Sequence, residues 1–168
     1  MHVQVYEWFA RQRRPLDLAA GAVLEIGSLD INGSVRPLFA DAPHYHGIDL
    51  VAGAGVDEVA DASRWTPARR YDVAACAEVL EHAESWRGIL DVMWSAVAPG
   101  GLLLMSCATD PRPPHSAVDG LDVRDGEYYE NVSPSALRAT IRSWSTSERA
   151  MEVAGGRGDL YFRAVKPR

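Results

Sequence analysis

The acids that could hold a polar ligand fall at recurring places along the chain. Glu25 sits in the apolar run Val23-Leu24-Glu25-Ile26, which breaks off at Gly27-Ser28 and passes on through Asn32-Gly33. Asp49 closes the run His44-Tyr45-His46-Gly47-Ile48-Asp49-Leu50, and Asp61-Ala62 follows a shorter run at 56–60. A carboxylate offers two acceptor oxygens, which suits the vicinal hydroxyls of a ribose. Asp49, about one βαβ step beyond Glu25, is the candidate for that contact. Gly27 lets backbone approach a ligand closely. A nicotinamide dinucleotide would use a similar turn and acid, but the G-x-G-x-x-G spacing it needs is absent. Histidine and carboxylate spacing forms no metal motif, so no metal is expected. Cys76 and Cys107 lie in apolar contexts and read as reduced core residues.

These residues need a βα alternation to bring them together. Ala22–Ile26 reads as a buried parallel strand. Val35, Leu38 and Phe39 place a helix over about 34–40, ended by Asp41-Ala42-Pro43. Strands follow at 44–50 and 56–60, and Tyr71–Ala77 is a fourth that runs into Glu78-Val79-Leu80-Glu81-His82. Trp86, Ile89, Leu90, Met93, Trp94 and Val97 keep helical spacing up to Pro99-Gly100-Gly101, and 101–107 is apolar enough for a central strand. Upstream, residues 3–14 form an amphipathic helix with a solvated basic end, stopped by Pro15.

Residues 109–130 carry Pro111, Pro113 and Pro114, little periodicity and many acids, the marks of a long functional loop. Ser133-Pro134 caps a last helix, with Leu137, Ile141 and Trp144 on one face. Glu148–Ala154 and Asp159–Val165 read as an antiparallel hairpin across Gly155-Gly156.

A length of 168 residues fits one domain. It divides into an N-terminal helix (1–20), a ligand-binding core (21–108), a loop (109–130), and a helix with the terminal hairpin (131–168). The formal charge of −6 speaks against a nucleic-acid partner. No apolar run approaches the ~20 residues of a membrane span, and a cytoplasmic location is expected. The oligomeric state is left open.

In this order, the pieces resemble the class I S-adenosylmethionine-dependent methyltransferases. The glycine turn is similar to that family's acid-x-Gly-x-Gly-x-Gly element. Asp49 is similar to its ribose acid, Asp61-Ala62 to the pair facing the adenine, Ala77-Glu78-Val79-Leu80-Glu81-His82 to its E-V-L-E-H element, and Ala98-Pro99-Gly100-Gly101 to its L-x-P-G-G turn. The second and third family glycines fall here on Leu29 and Ile31. The resemblance implies an α/β fold: a Rossmann-like seven-stranded mixed sheet, mostly parallel, with a terminal antiparallel hairpin and helices on both faces. It implies S-adenosylmethionine as cofactor, held by Glu25, Gly27, Ser28, Asn32, Gly33, Asp49, Leu50, Asp61, Ala62, Ala77 and Glu78. Glu25 would fix the turn, Gly33-Ser34 would offer a helix N-terminus to the cofactor's carboxylate, and Trp65 could face the adenine or sit in the core.

Methyl transfer needs a base only where the acceptor is protonated at neutral pH. His115, in the loop over the acceptor pocket, and His82, at the mouth of the cofactor site, are the two candidates. Tyr128 and Tyr129 would line the pocket or pack beneath it. The expected activity is methyl transfer to a small molecule at oxygen or nitrogen. The alternative is a non-catalytic module that keeps the cofactor, and an ordered 109–130 loop with His115 turned inward would favour the enzyme.

Overall fold

Strand residues of this chain alternate between two apolar layers, and that alternation lays out the molecule. In the computed structural model, which describes residues 2–13, 17–19 and 21–168, seven strands form one sheet. They are β1 (Ala22–Ile26), β2 (His44–Asp49), β3 (Glu58–Val59), β4 (Tyr71–Ala77), β5 (Val97–Ala108), β6 (Glu148–Ala154) and β7 (Asp159–Val165), in the order β3-β2-β1-β4-β5-β7-β6. The first five run parallel, while β7 lies antiparallel to both β5 and β6. The expected mixed sheet with a terminal hairpin is therefore present.

On one face Leu24, Ile26, Ala74, Cys76, Leu103 and Met105 meet the helices α2 (Trp86–Ala96) and α3 (Pro134–Thr140) through Leu90, Met93 and Leu137. On the other face Val23, Val73, Ala75, Leu102 and Leu104 meet α1 (Val3–Arg13) through Val5, Trp8 and Phe9. Each layer takes every second residue, as the two-residue period of a strand requires. Cys76 and Cys107 are buried and unbridged.

Three local expectations change. The helix expected over 34–40 is a four-residue 3₁₀ turn, Arg36–Phe39. Pro37 falls inside it, and Asp41-Ala42-Pro43 follows at once, so too few residues remain to repay helix nucleation. The strand expected at 56–60 shortens to two exposed residues at the sheet edge. β5 begins at Val97 instead of 101, since Tyr71 pairs with Val97 and the register then slips before Val73 meets Leu102. The Pro99-Gly100-Gly101 turn occupies that irregularity.

The basic end of α1 is not fully solvated either. Arg13 pairs with Asp41 and donates through Nε to the Leu38 carbonyl at 3.1 Å, tying α1 to the 3₁₀ turn. Its guanidinium holds the Asp41 carboxyl below the usual range. Arg14 and Pro15 lie outside the described residues. Ser133 caps α3 as expected, its hydroxyl accepting the Ala136 N–H at 3.1 Å.

Candidate active site

The turn after β1 is shaped by one glycine. Gly27 has φ of +74°, and a Cβ placed there would overlap Val79 of the segment that follows β4. Only glycine meets both conditions at low cost. The turn then consumes most of its own amides. Gly27 and Ser28 donate to the Ile48 carbonyl at 2.9 and 3.2 Å, and Asp30 donates to the Ala54 carbonyl at 2.9 Å. Leu29 N–H reaches Asp49 Oδ2 at 3.1 Å, and Gly33 N–H reaches Asp30 Oδ1 at 2.9 Å. Leu29 and Ile31 thus stand where that family's glycines would fall, in a turn pinned to β2 and to the loop after it. The helix N-terminus expected at Gly33-Ser34 is absent, because the segment that follows is a single 3₁₀ turn.

Glu25 is buried beneath this turn. Its Oε2 accepts the Tyr45 hydroxyl at 2.7 Å, and its Oε1 accepts the Ser34 hydroxyl at 3.4 Å. Burial pushes its carboxyl up to about 7, against the lowering effect of these hydrogen bonds and of Arg36. It therefore joins β1, β2 and the far end of the turn.

Asp49 ends β2. Its Oδ1 accepts the Val51 N–H at 3.2 Å and its Oδ2 the Leu29 N–H. A carboxylate has about four lone-pair sites, so capacity remains for a ligand. Asp61 accepts both the backbone N–H and the hydroxyl of Ser63 at 2.9 and 2.7 Å, and these bonds lower its carboxyl below the ordinary value. Glu78 stands in the left-handed region at φ of +56°. Its carboxylate takes the His2 N–H at 3.2 Å and lies 3.7 Å from Arg112 Nη1.

One cavity of about 530 Å³ gathers these groups. All eleven residues expected to hold the cofactor line it: Glu25, Gly27, Ser28, Asn32, Gly33, Asp49, Leu50, Asp61, Ala62, Ala77 and Glu78. Its size suits a nucleotide-like ligand. Apolar side chains that motif reading passed over complete the wall, among them Leu29, Ile31, Val51, Val79 and Ile89. Trp65 does not line it. Its indole N–H donates to Glu58 at 3.0 Å and its ring stacks on His46 at 5.8 Å.

His82 lines the same cavity, and Ala117 and Val118 reach it from the long loop. His115 stands behind His82, ring centroids 5.0 Å apart, and Tyr129 packs on both rings at 5.3 and 4.9 Å. Burial, then the neighbouring His115, depresses the His82 imidazole to about 4, so it stays neutral at physiological pH. Tyr128 points elsewhere, its hydroxyl bonded to Glu130. The loop is ordered by its own contacts: Ser116 donates to Glu127 at 2.8 Å, and Arg124 N–H donates to the same carboxylate at 2.9 Å.

Beneath His82 lies Glu81, with no exposed surface, its Oε1 accepting the Ala108 N–H at 3.0 Å. Burial raises its carboxyl to about 8. Ligand atoms of Glu81, His82 and His115 all lie within 4.8 Å of one another. Linear spacing hid this trio, because His115 comes from a different segment.

Arg112 was also missed. Only 11% of its side chain is exposed, and it pairs with buried Asp159 of β7 while facing Glu78. An arginine in a proline-rich loop carries no motif that would single it out.

The sequence matches the family described as "Methyltransferase domain" over residues 7–154. No curated protein matches the chain in sequence. Among solved structures, a DhpI–SAH complex is 24% identical with a TM-score of 0.67, covering 98% of this chain and 86% of that one. The N-methyltransferase NodS from Bradyrhizobium japonicum WM9, in complex with S-adenosyl-L-homocysteine, is 20% identical with a TM-score of 0.64, covering 98% and 88%. Magnesium protoporphyrin IX methyltransferase (ChlM) from Synechocystis PCC 6803 is 17% identical with a TM-score of 0.64, covering 97% and 81%. With its strand order, its cavity at the ends of β1, β2 and β4, and this family match, the chain belongs to the class I S-adenosylmethionine-dependent methyltransferases.

Proposed function

We propose that the protein methylates a small-molecule acceptor at oxygen or nitrogen, with His82 and His115 as the groups that activate it. The observation that carries this reading is a single cavity with the Asp49 carboxylate and the Gly27 turn in its wall and His82 at its acceptor side.

The cavity fits S-adenosylmethionine by its donor set. Asp49 and Asp61 present acceptor oxygens, the glycine at 27 removes a Cβ that would fill the turn, and apolar side chains offer a slot for a flat base. When bound, the cofactor supplies a methyl carbon whose bond to sulfur breaks, the electron pair staying on sulfur, as the acceptor's lone pair arrives. The chain's own contribution is alignment and exclusion of water, and alignment alone can be worth ~7–11 kcal/mol. Asp49 and the turn would hold the nucleoside end. Val118 and Ala117 would close the acceptor side over the cavity, and neutral His82 would face the acceptor's proton with His115 and Tyr129 behind it. The ordered loop, with the His115 ring against His82, supports the enzyme over the non-catalytic module.

The neighbours named above include an N-methyltransferase and a porphyrin methyltransferase, which supports a small-molecule acceptor. Calorimetric titration with S-adenosylhomocysteine, followed by a metabolite screen read by its release from S-adenosylmethionine, tests the reading. Binding is expected, and its absence would overturn the proposal. His115→Ala is expected to lower turnover by about 10²-fold while the affinity for S-adenosylhomocysteine stays unchanged.

A further inference from the structure

We propose that Glu81, His82 and His115 form a binding site for a divalent transition-metal ion of the zinc class at the acceptor end of the cavity. Two imidazoles and one carboxylate make a three-ligand set that leaves coordination positions open. The three ligand atoms lie within 4.8 Å of one another. Metal–ligand bonds of about 2.1 Å place neighbouring ligand atoms roughly 3–4 Å apart, so a small side-chain rotation closes the set.

A second observation points to a ligand independently of the clustering. Glu81 has no exposed surface, and its Oε2 has no hydrogen-bond partner, while Oε1 is satisfied by the Ala108 N–H. His82 Nδ1 is likewise buried and without a partner. Native proteins rarely leave a buried carboxylate oxygen and a buried ring nitrogen both unmatched, and two of them in one trio imply a missing partner. A shared cation answers both.

The surroundings suit such an ion. The Nδ1–H of His115 donates to the Pro113 carbonyl at 3.1 Å, which fixes the ring and leaves its Nε2 lone pair for coordination. Tyr129 packs edge-on against both imidazoles and restricts their rotation. Glu81 is anchored at the end of β5 by Ala108 and, through its own carbonyl at 2.8 Å, to Glu130 of the loop. The ion would therefore staple the loop to the segment after β4.

This inference rests on the methyltransferase reading for its consequence. Of the three ligands only His82 lines the cavity, so through it the ion would stand within reach of an acceptor bound there. The acceptor class is then a small molecule that presents an oxygen donor at or beside its nucleophilic atom. With the ion bound, His82 and His115 would act as its ligands and not as bases. Coordination would acidify a bound hydroxyl, its proton would leave to water, and its oxygen lone pair would form the bond to the methyl carbon as the carbon–sulfur bond breaks, the electron pair staying on sulfur.

Co²⁺ titration of the full chain, freed of metal by chelation, tests the site without any cofactor or turnover. One Co²⁺ per chain is expected, with a visible d–d band that one equivalent of Zn²⁺ abolishes. Glu81→Gln and His115→Ala should each weaken Co²⁺ binding by at least about tenfold, whereas His44→Ala, exposed at the start of β2, should not. Should Glu81→Gln fail to fold, His115→Ala in the surface loop still decides. No Co²⁺ binding, or binding that His115→Ala leaves unchanged, overturns the site. A parallel titration of the metal-free chain with S-adenosylhomocysteine keeps the two proposals apart. Its success alongside absent Co²⁺ binding removes the metal site alone, and its failure removes the methyltransferase reading.

Discussion

Asp49 shows how one side chain can serve two tasks at the end of a strand. Each of its oxygens already accepts one backbone N–H, from Leu29 and Val51, which orients the carboxylate toward the cavity. Its remaining lone pairs can then accept hydroxyls from a ribose without a side-chain search. Asp49→Ala is therefore expected to weaken S-adenosylhomocysteine binding by more than about 1.5 kcal/mol, the scale of charge-assisted hydrogen bonds. Calorimetry checks this, and an unchanged affinity would remove Asp49 from the site. His82 and Glu81 differ in kind from Asp49. Their buried, unmatched atoms make the segment after β4 costly as it stands, a pattern characteristic of functional positions.

At the level of elements, the turn between β1 and the 3₁₀ segment is held from beneath by Glu25. It links β1 to β2 through Tyr45 and to the turn's end through Ser34, with Arg36 the facing charge and Asp57 paired to Arg36. The folded state keeps this carboxyl protonated up to about 7, whereas its ordinary value is 4.5. Between those values the folded state binds more protons than the unfolded one, so unfolding free energy falls as pH rises. The Glu25 contribution is full below about 4.5 and lost above about 7. Glu25→Gln, which keeps a neutral hydrogen-bonding group, is expected to flatten that decline in urea midpoints measured across the window. An identical slope in the variant would show that the decline has another source.

For the whole molecule, the two faces of the sheet are covered unequally. One carries α2 and α3, with Trp94 stacked on Trp144 at 4.6 Å. Among the described residues the other carries only the helix α1 and the 3₁₀ turn Arg36–Phe39, with Leu18 beside them, because the helix expected at 34–40 does not form. Trp8, 2% exposed and stacked on Tyr161 at 5.2 Å, is the largest side chain α1 sends into that layer. Trp8→Ala is expected to cost about 3–5 kcal/mol of stability, measured by urea unfolding. A loss near zero would mean that the layer closes without it. No helix among the described residues is long and apolar enough to cross a membrane.

The strands were legible in the sequence because their apolar runs and two-residue alternation are local properties. Tyr71–Ala77, Glu148–Ala154 and Asp159–Val165 lie where that pattern puts them. The cavity acids were legible for a related reason. A residue at the end of a parallel strand has its place fixed by the strand, so Asp49 and the Gly27 turn follow from where β1 and β2 stop. The helix expected at 34–40 does not form because its three apolar residues serve a 3₁₀ turn as well as a helix, and the few residues left before Asp41-Ala42-Pro43 favour the turn. The joining of Glu81 and His82 to His115, and of Arg112 to Asp159 and Glu78, was decided by tertiary structure. Those contacts depend on how a loop without periodicity folds back over the sheet, and no pattern along the chain records where such a loop returns.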